Sequence, residues 1–167
     1  MTQPDVASLP AAADLPSVMA ESLFPAIIES SNDAILSKTL DGVITSWNPA
    51  ATRIFGYSAE EMLGQSVLCL FPAERLGEET LILQKIARGE RVDSFETVRL
   101  HKSGRPISVS VTVSPVRNAA GRIVGASKIA RDITAEIDNY RQLDQFRSLV
   151  TSSFDAILTK DMKGIVR

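Results

Sequence analysis

The chain has 167 residues, is 44% apolar and carries a formal net charge of −2, enough for one domain with a single core and an appendage. The near-neutral charge argues against a general attraction to nucleic acid or anionic membrane, and no apolar run reaches the ~18 residues of a membrane span. The lone cysteine, Cys69, has no partner for an internal disulfide, which points to a reducing compartment. The first basic residue is Lys38, so no secretory leader is expected.

Residues 1–15, rich in proline and alanine without a clean period, read as a mobile tail. Residues 16–31 read as leading helices. Pro25 would clash with the carbonyl four residues back, so a break or kink is expected there, with a second helix beginning at Pro25. Two apolar-rich runs, AILSKTL and VITSW, flank Asp41-Gly42, a hairpin signal. Asn48-Pro49 then combines a good N-cap with a proline suited to the first helical position. Ser58 to Glu61 reads as a capping box, with Gly56 and Gly64 as stops.

Val67 to Phe71 forms a short apolar turn closed by Pro72. Residues 73–88 are predicted helical, with Leu76, Leu81, Leu83 and Ile86 as inward positions and Gly89 as the stop. Strands follow at 92–101, 106–117 and 123–131, separated by turns at Lys102-Ser103-Gly104-Arg105 and 118–122. Ile107, Val109, Val111 and Val113 alternate with polar residues, the period of a strand with one buried face. Beyond Ile133 the apolar spacing becomes helical, a connector that Asp132 or Thr134 can cap. Two strands before the helices and three after them make an α+β domain.

The ordered set Asp41-Gly42, Trp47-Asn48-Pro49-Ala50-Ala51, Phe55-Gly56-Tyr57-Ser58, Glu61-Met62-Leu63-Gly64, Lys102 to Arg105 and Ala130-Arg131-Asp132-Ile133-Thr134 resembles a PAS sensor domain over residues 24–134. The resemblance implies a PAS fold: a five-stranded antiparallel sheet with short helices on one face, spanning 32–134, followed by a connector helix at 135–152. It also implies a cytoplasmic bacterial signalling protein, of the kind found in two-component systems, that dimerises through the leading helices. The family's cavity would be walled by Leu83, Ile86, Phe95, Val111 and Val113, apolar and generic side chains that can equally well just fill a core. Asp132, Ile133 and Thr134 would couple that core to the outgoing helix.

Residues 24–45 align without gaps on 146–167 with nine identities in 22 pairs, at a period of 122 residues. That period suits an array of domains. Residues 153–167 are therefore expected to begin a second PAS repeat, making the chain a piece of a longer protein with an output domain beyond Arg167.

No nucleotide-binding glycine loop, phosphoacceptor-histidine box or cyclic-dinucleotide motif is present, so no enzyme is expected in this stretch. The only histidine, His101, flanks a turn and suits a structural role. Haem-binding relatives carry an axial histidine on the helix matching 73–88, which here has none. The reactive cysteine of flavin photoreceptors falls at Val67, while Cys69 lies in an apolar run and reads as a buried, inert thiol. Haem and a covalent flavin adduct are thus not expected, no metal site is visible, and non-covalent FAD against Trp47 stays open. The leading expectation is a sensory module that binds a small ligand or reads redox state. The alternatives are a ligand-free dimerisation module and the N-terminal part of a histidine kinase or cyclic-di-GMP enzyme.

Overall fold

The computed structural model describes residues 17–152. The expected tail at 1–15 and the expected second repeat at 153–167 lie outside them. The elements run α1 (Ser17–Ser30), β1 (Ala34–Thr39), β2 (Ile44–Trp47), α2 (Pro49–Phe55), α3 (Ala59–Met62), two 3₁₀ turns at Val67–Leu70 and Ala73–Arg75, α4 (Leu76–Ala87), β3 (Val92–Leu100), β4 (Pro106–Arg117), β5 (Ile123–Asp132) and α5 (Thr134–Ser152). The strands form one antiparallel sheet in the order β2-β1-β5-β4-β3. The first and last strands of the domain thus lie side by side at its centre.

Local chemistry accounts for the joints. Gly42 supplies the positive φ of the β1–β2 turn. Asn48, buried, is a hub: its Oδ1 accepts from the amides of Ala51 and Ile35, and its Nδ2 donates to the carbonyls of Ile28 and Asp33. One side chain therefore caps α2 and ties it to β1 and to the end of α1. Ser58 and Glu61 complete a capping box at α3.

The inner face of the sheet carries the core. Ile107, Val109, Val111 and Val113 are fully buried, as the alternation predicts. They pack with Leu36, Phe55, Met62, Val67, Leu70, Ile82 and Ile86 from the surrounding elements. α4 lies against β3, β4 and β5, and α2 against β1.

Three expectations are corrected. α1 is continuous through Pro25. Residues 22–30 are exposed, and in such a helix the carbonyl that a proline leaves unpaired is open to water. On α4 the inward stripe is Glu79, Ile82 and Ile86, while Leu76 and Leu81 are exposed and Leu83 is half-buried. Steps of three and four residues decide which side chains share a helix face, and Leu81 lies one step of about 100° from Ile82. Cys69 is exposed, because a 3₁₀ turn with three residues per turn sends Val67 and Leu70 inward and leaves Leu68 and Cys69 outside.

Candidate functional site

Two places on this scaffold carry chemistry: the inner sheet face under α4, and the junction between β5 and α5.

Of the five side chains expected to wall a cavity, Ile86, Val111 and Val113 are fully buried in the core, and Phe95 is half-buried against it. Leu83 stands apart. It lines a shallow groove of about 360 Å³ with Asp41, Gly42, Leu76 and Glu79, whereas Phe95 lines another of about 440 Å³ with Glu78, Ile82 and Val92 on the other side of α4.

Beside these apolar side chains, three strands each send a cation inward. Lys38 on β1, Lys128 on β5 and Arg99 on β3 have no more than 2% of their surface exposed. Lys38 donates to Glu79 in a buried ion pair. Arg99 Nη1 lies 3.0 Å from Glu78 Oε2, 3.0 Å from Thr97 Oγ1 and 2.7 Å from the Val98 carbonyl. The Arg99 guanidinium stacks 3.8 Å from the centre of the Phe71 ring, and the Lys128 ammonium lies 5.2 Å from that same centre. Lys128 Nζ makes no hydrogen bond to the described residues.

The electrostatics follow from this crowding. Burial, reinforced by Arg99 and Lys38, pushes the Lys128 ammonium well below its ordinary value. Burial also lowers Lys38, against the pull of Glu79. At Glu78 burial pushes upward, but hydrogen bonds from Arg75, Thr97 and Arg99 hold the carboxyl below its ordinary range.

A period-two signal was there to find this cluster. Lys38 is in step with Ala34 and Leu36, Lys128 with Ala126 and Ala130, and Arg99 with Phe95 and Thr97.

At the junction, the Asp132 carboxylate accepts from the Thr134 amide at 2.9 Å and the Thr134 hydroxyl at 2.6 Å. The same hydroxyl oxygen accepts from the Ser108 amide at 3.1 Å, and the Ile133 amide donates to the Ser108 carbonyl at 2.9 Å. Ser108 lies between the buried Ile107 and Val109 of β4. All three predicted coupling residues therefore meet the strand whose other face lines the core.

The remaining candidates read as structural. His101 bonds Ser103 through Nδ1, and its ring fills the space that a Cβ on Gly56 would need. Trp47 Nε1 reaches Thr52 Oγ1 and the Tyr57 carbonyl, and its ring packs 5.7 Å from Phe55. Among the described residues no group of His, Cys, Asp or Glu has the arrangement of a metal site, and no helix is long and apolar enough to cross a membrane.

Comparison with known proteins agrees with the geometry. The family model described as PAS fold matches residues 22–133. The signal transduction histidine-protein kinase AtoS of Escherichia coli (strain K12) is 31% identical over 125 residues, which is 75% of this chain and 20% of that protein. A blue-light-activated histidine kinase of Brucella ovis is 26% identical over 121 residues, 72% of this chain and 24% of that protein. The crystal structure of a PAS domain from Colwellia psychrerythraea superposes with a TM-score of 0.64 at 27% identity, covering 70% of this chain and 98% of that one. The chain thus spans a quarter or less of these two kinases. Its fold, its junction and the extent of the family match lead to one conclusion: this chain belongs to the PAS fold family.

Proposed function

We propose that the chain is the sensory module of a signal-transduction protein, which reads a small ligand at the inner sheet face and passes the change out through α5. The observation that carries this reading is the Asp132–Thr134–Ser108 junction. It joins the root of α5 to β4, whose next residues on either side of Ser108 are buried in the core. A shift of the sheet on binding changes the angle at which α5 leaves, a two-state element of the kind switching requires. The kinase relatives support an output domain in the same polypeptide, of the histidine-kinase kind, in a cytoplasmic two-component system. A cyclic-di-GMP output is the alternative. Catalysis then belongs to that output domain. Residues 146–152 are helical, like the 24–30 segment they repeat, which supports a tandem arrangement in which α5 leads into a second PAS domain.

One relative is blue-light-activated, which makes a non-covalent flavin worth testing by absorbance, while Val67, fully buried at the adduct position, speaks against a covalent one. A second reading has its own support. α1 exposes Leu23, Phe24, Ile27 and Ile28, and α5 exposes Tyr140, Leu143 and Phe146, faces suited to a homodimer that relays signals without a ligand.

The test is Asp132→Ala in the full-length protein. Loss of signal response with a near-native unfolding midpoint is expected, and full signalling overturns the coupling role. Native mass spectrometry with an absorption spectrum of the purified chain separates the readings. A bound mass supports the ligand sensor, and a ligand-free dimer supports the relay.

A further inference from the structure

The cluster beneath α4 holds more hydrogen-bond donors than its neighbours satisfy. Arg99 Nε and Nη2 and Lys128 Nζ are buried without a hydrogen-bond acceptor among the described residues. Nε and Nη2 form one edge of the guanidinium, the two-pronged fork that fits a carboxylate. Arg131 uses that same edge on Asp33, at 3.1 Å from each prong. Among the described residues the three buried cations face Glu78 and Glu79 as counter-charges. Glu78 is shared with the half-exposed Arg75, and Lys128 has no ion pair. Burial beside Arg99 and Lys38, only partly offset by Glu79 and Glu78, disfavours the Lys128 ammonium, so a counter-ion arriving there gains a charge partner and favours the protonated form. Glu79 Oε2 is likewise buried without a donor.

We infer that this inner face binds a small hydroxycarboxylate, its carboxylate held by the Arg99 fork and Lys128 Nζ and its hydroxyl donating to Glu79 Oε2. The inference rests on the reading of the inner face as the sensing site and names the chemistry of what is sensed. The Phe71 ring, against which Arg99 and Lys128 lie, forms an apolar wall that keeps bulk water from competing. Glu79 and Glu78 each line one of the two grooves beside α4, so access requires α4 to give way at its first turn.

The experiment is a thermal-shift and calorimetric titration of the full chain with glycolate at constant ionic strength, against glycolamide and inorganic phosphate. Glycolate is expected to raise the unfolding midpoint saturably, with proton uptake revealed by buffers of different ionisation enthalpy. Glycolamide is expected to do nothing, and phosphate to bind more weakly than glycolate. Arg99→Lys keeps the charge and loses the fork, and should weaken glycolate at least tenfold. Lys128→Met should abolish the response while leaving a folded protein, and carries the test alone if the arginine variant does not fold. No saturable response to glycolate, an equal response in Lys128→Met, or tighter phosphate binding overturns the inference. If the purified protein carries a neutral bound mass and ignores glycolate, the carboxylate inference falls and the sensing-site reading stands.

Discussion

Arg131 and Arg99 belong to the same sheet and meet opposite fates. Arg131 lies on the outer side of β5 with most of its side chain in water, and its fork is filled by Asp33. Arg99 is wholly buried on β3, and its fork meets no acceptor among the described residues. A surface pair of this kind holds geometry and adds little stability, because water already solvates both partners. Arg99 keeps its ion pair with Glu78, but a buried donor without an acceptor costs the fold something. On the proposed reading a ligand relieves that cost, and the two arginines then contrast a satisfied surface fork with an unsatisfied buried one.

The comparison can be broken in order of expected effect. Glu79→Gln removes the charge partner of Lys38 inside the core and should cost about 3–5 kcal/mol in chemical denaturation. A loss under about 1 kcal/mol would mean that the pair is not buried in solution. Lys128→Met replaces an unpartnered ammonium by an apolar chain of similar length and should stabilise the ligand-free protein by about 1–4 kcal/mol.

The pH dependence sharpens that second prediction. The folded-state pKa of Lys128 is lowered, so between that value and the ordinary 10.5 the unfolded chain binds the extra proton and parental stability rises with pH. The advantage of Lys128→Met should therefore be greatest at low pH and shrink towards the ordinary lysine range. An advantage that is flat with pH would show Lys128 to be unperturbed. Asp132→Ala removes the acceptor at the first turn of α5 and should cost about 1 kcal/mol, much less than its effect on coupling. Arg131→Ala should produce the smallest change, one that vanishes in high salt as a screened surface pair does. A large loss that persists in salt would erase the contrast with Arg99.

Much of the fold was legible because it is written in local rules. Gly42 at a turn, Asn48-Pro49 at a helix start, the Ser58–Glu61 box and the alternation from Ile107 to Val113 each act within a few residues. The structure places each where those rules put it. The coupling residues Asp132 to Thr134 were named from the resemblance, but their bond to Ser108 spans 26 residues and had no local sign. The readings that failed were those needing a neighbour: whether water reaches a helix interrupted by Pro25, which side of a 3₁₀ turn faces in at Cys69, and which leucines of α4 meet the sheet.

The sequence by itself determined the strands, the caps, the turns and the family, since propensity, periodicity and spacing are properties of the chain alone. Only the tertiary structure decided the character of the interior. Lys38, Arg99 and Lys128 lie 90 residues apart from first to last. Each looks like an ordinary solvated charge until antiparallel pairing turns the inward steps of β1, β3 and β5 to the same face, where α4 and Phe71 cover them. Charge in a sequence carries no record of the dielectric it will occupy, and the packing of distant elements sets that dielectric.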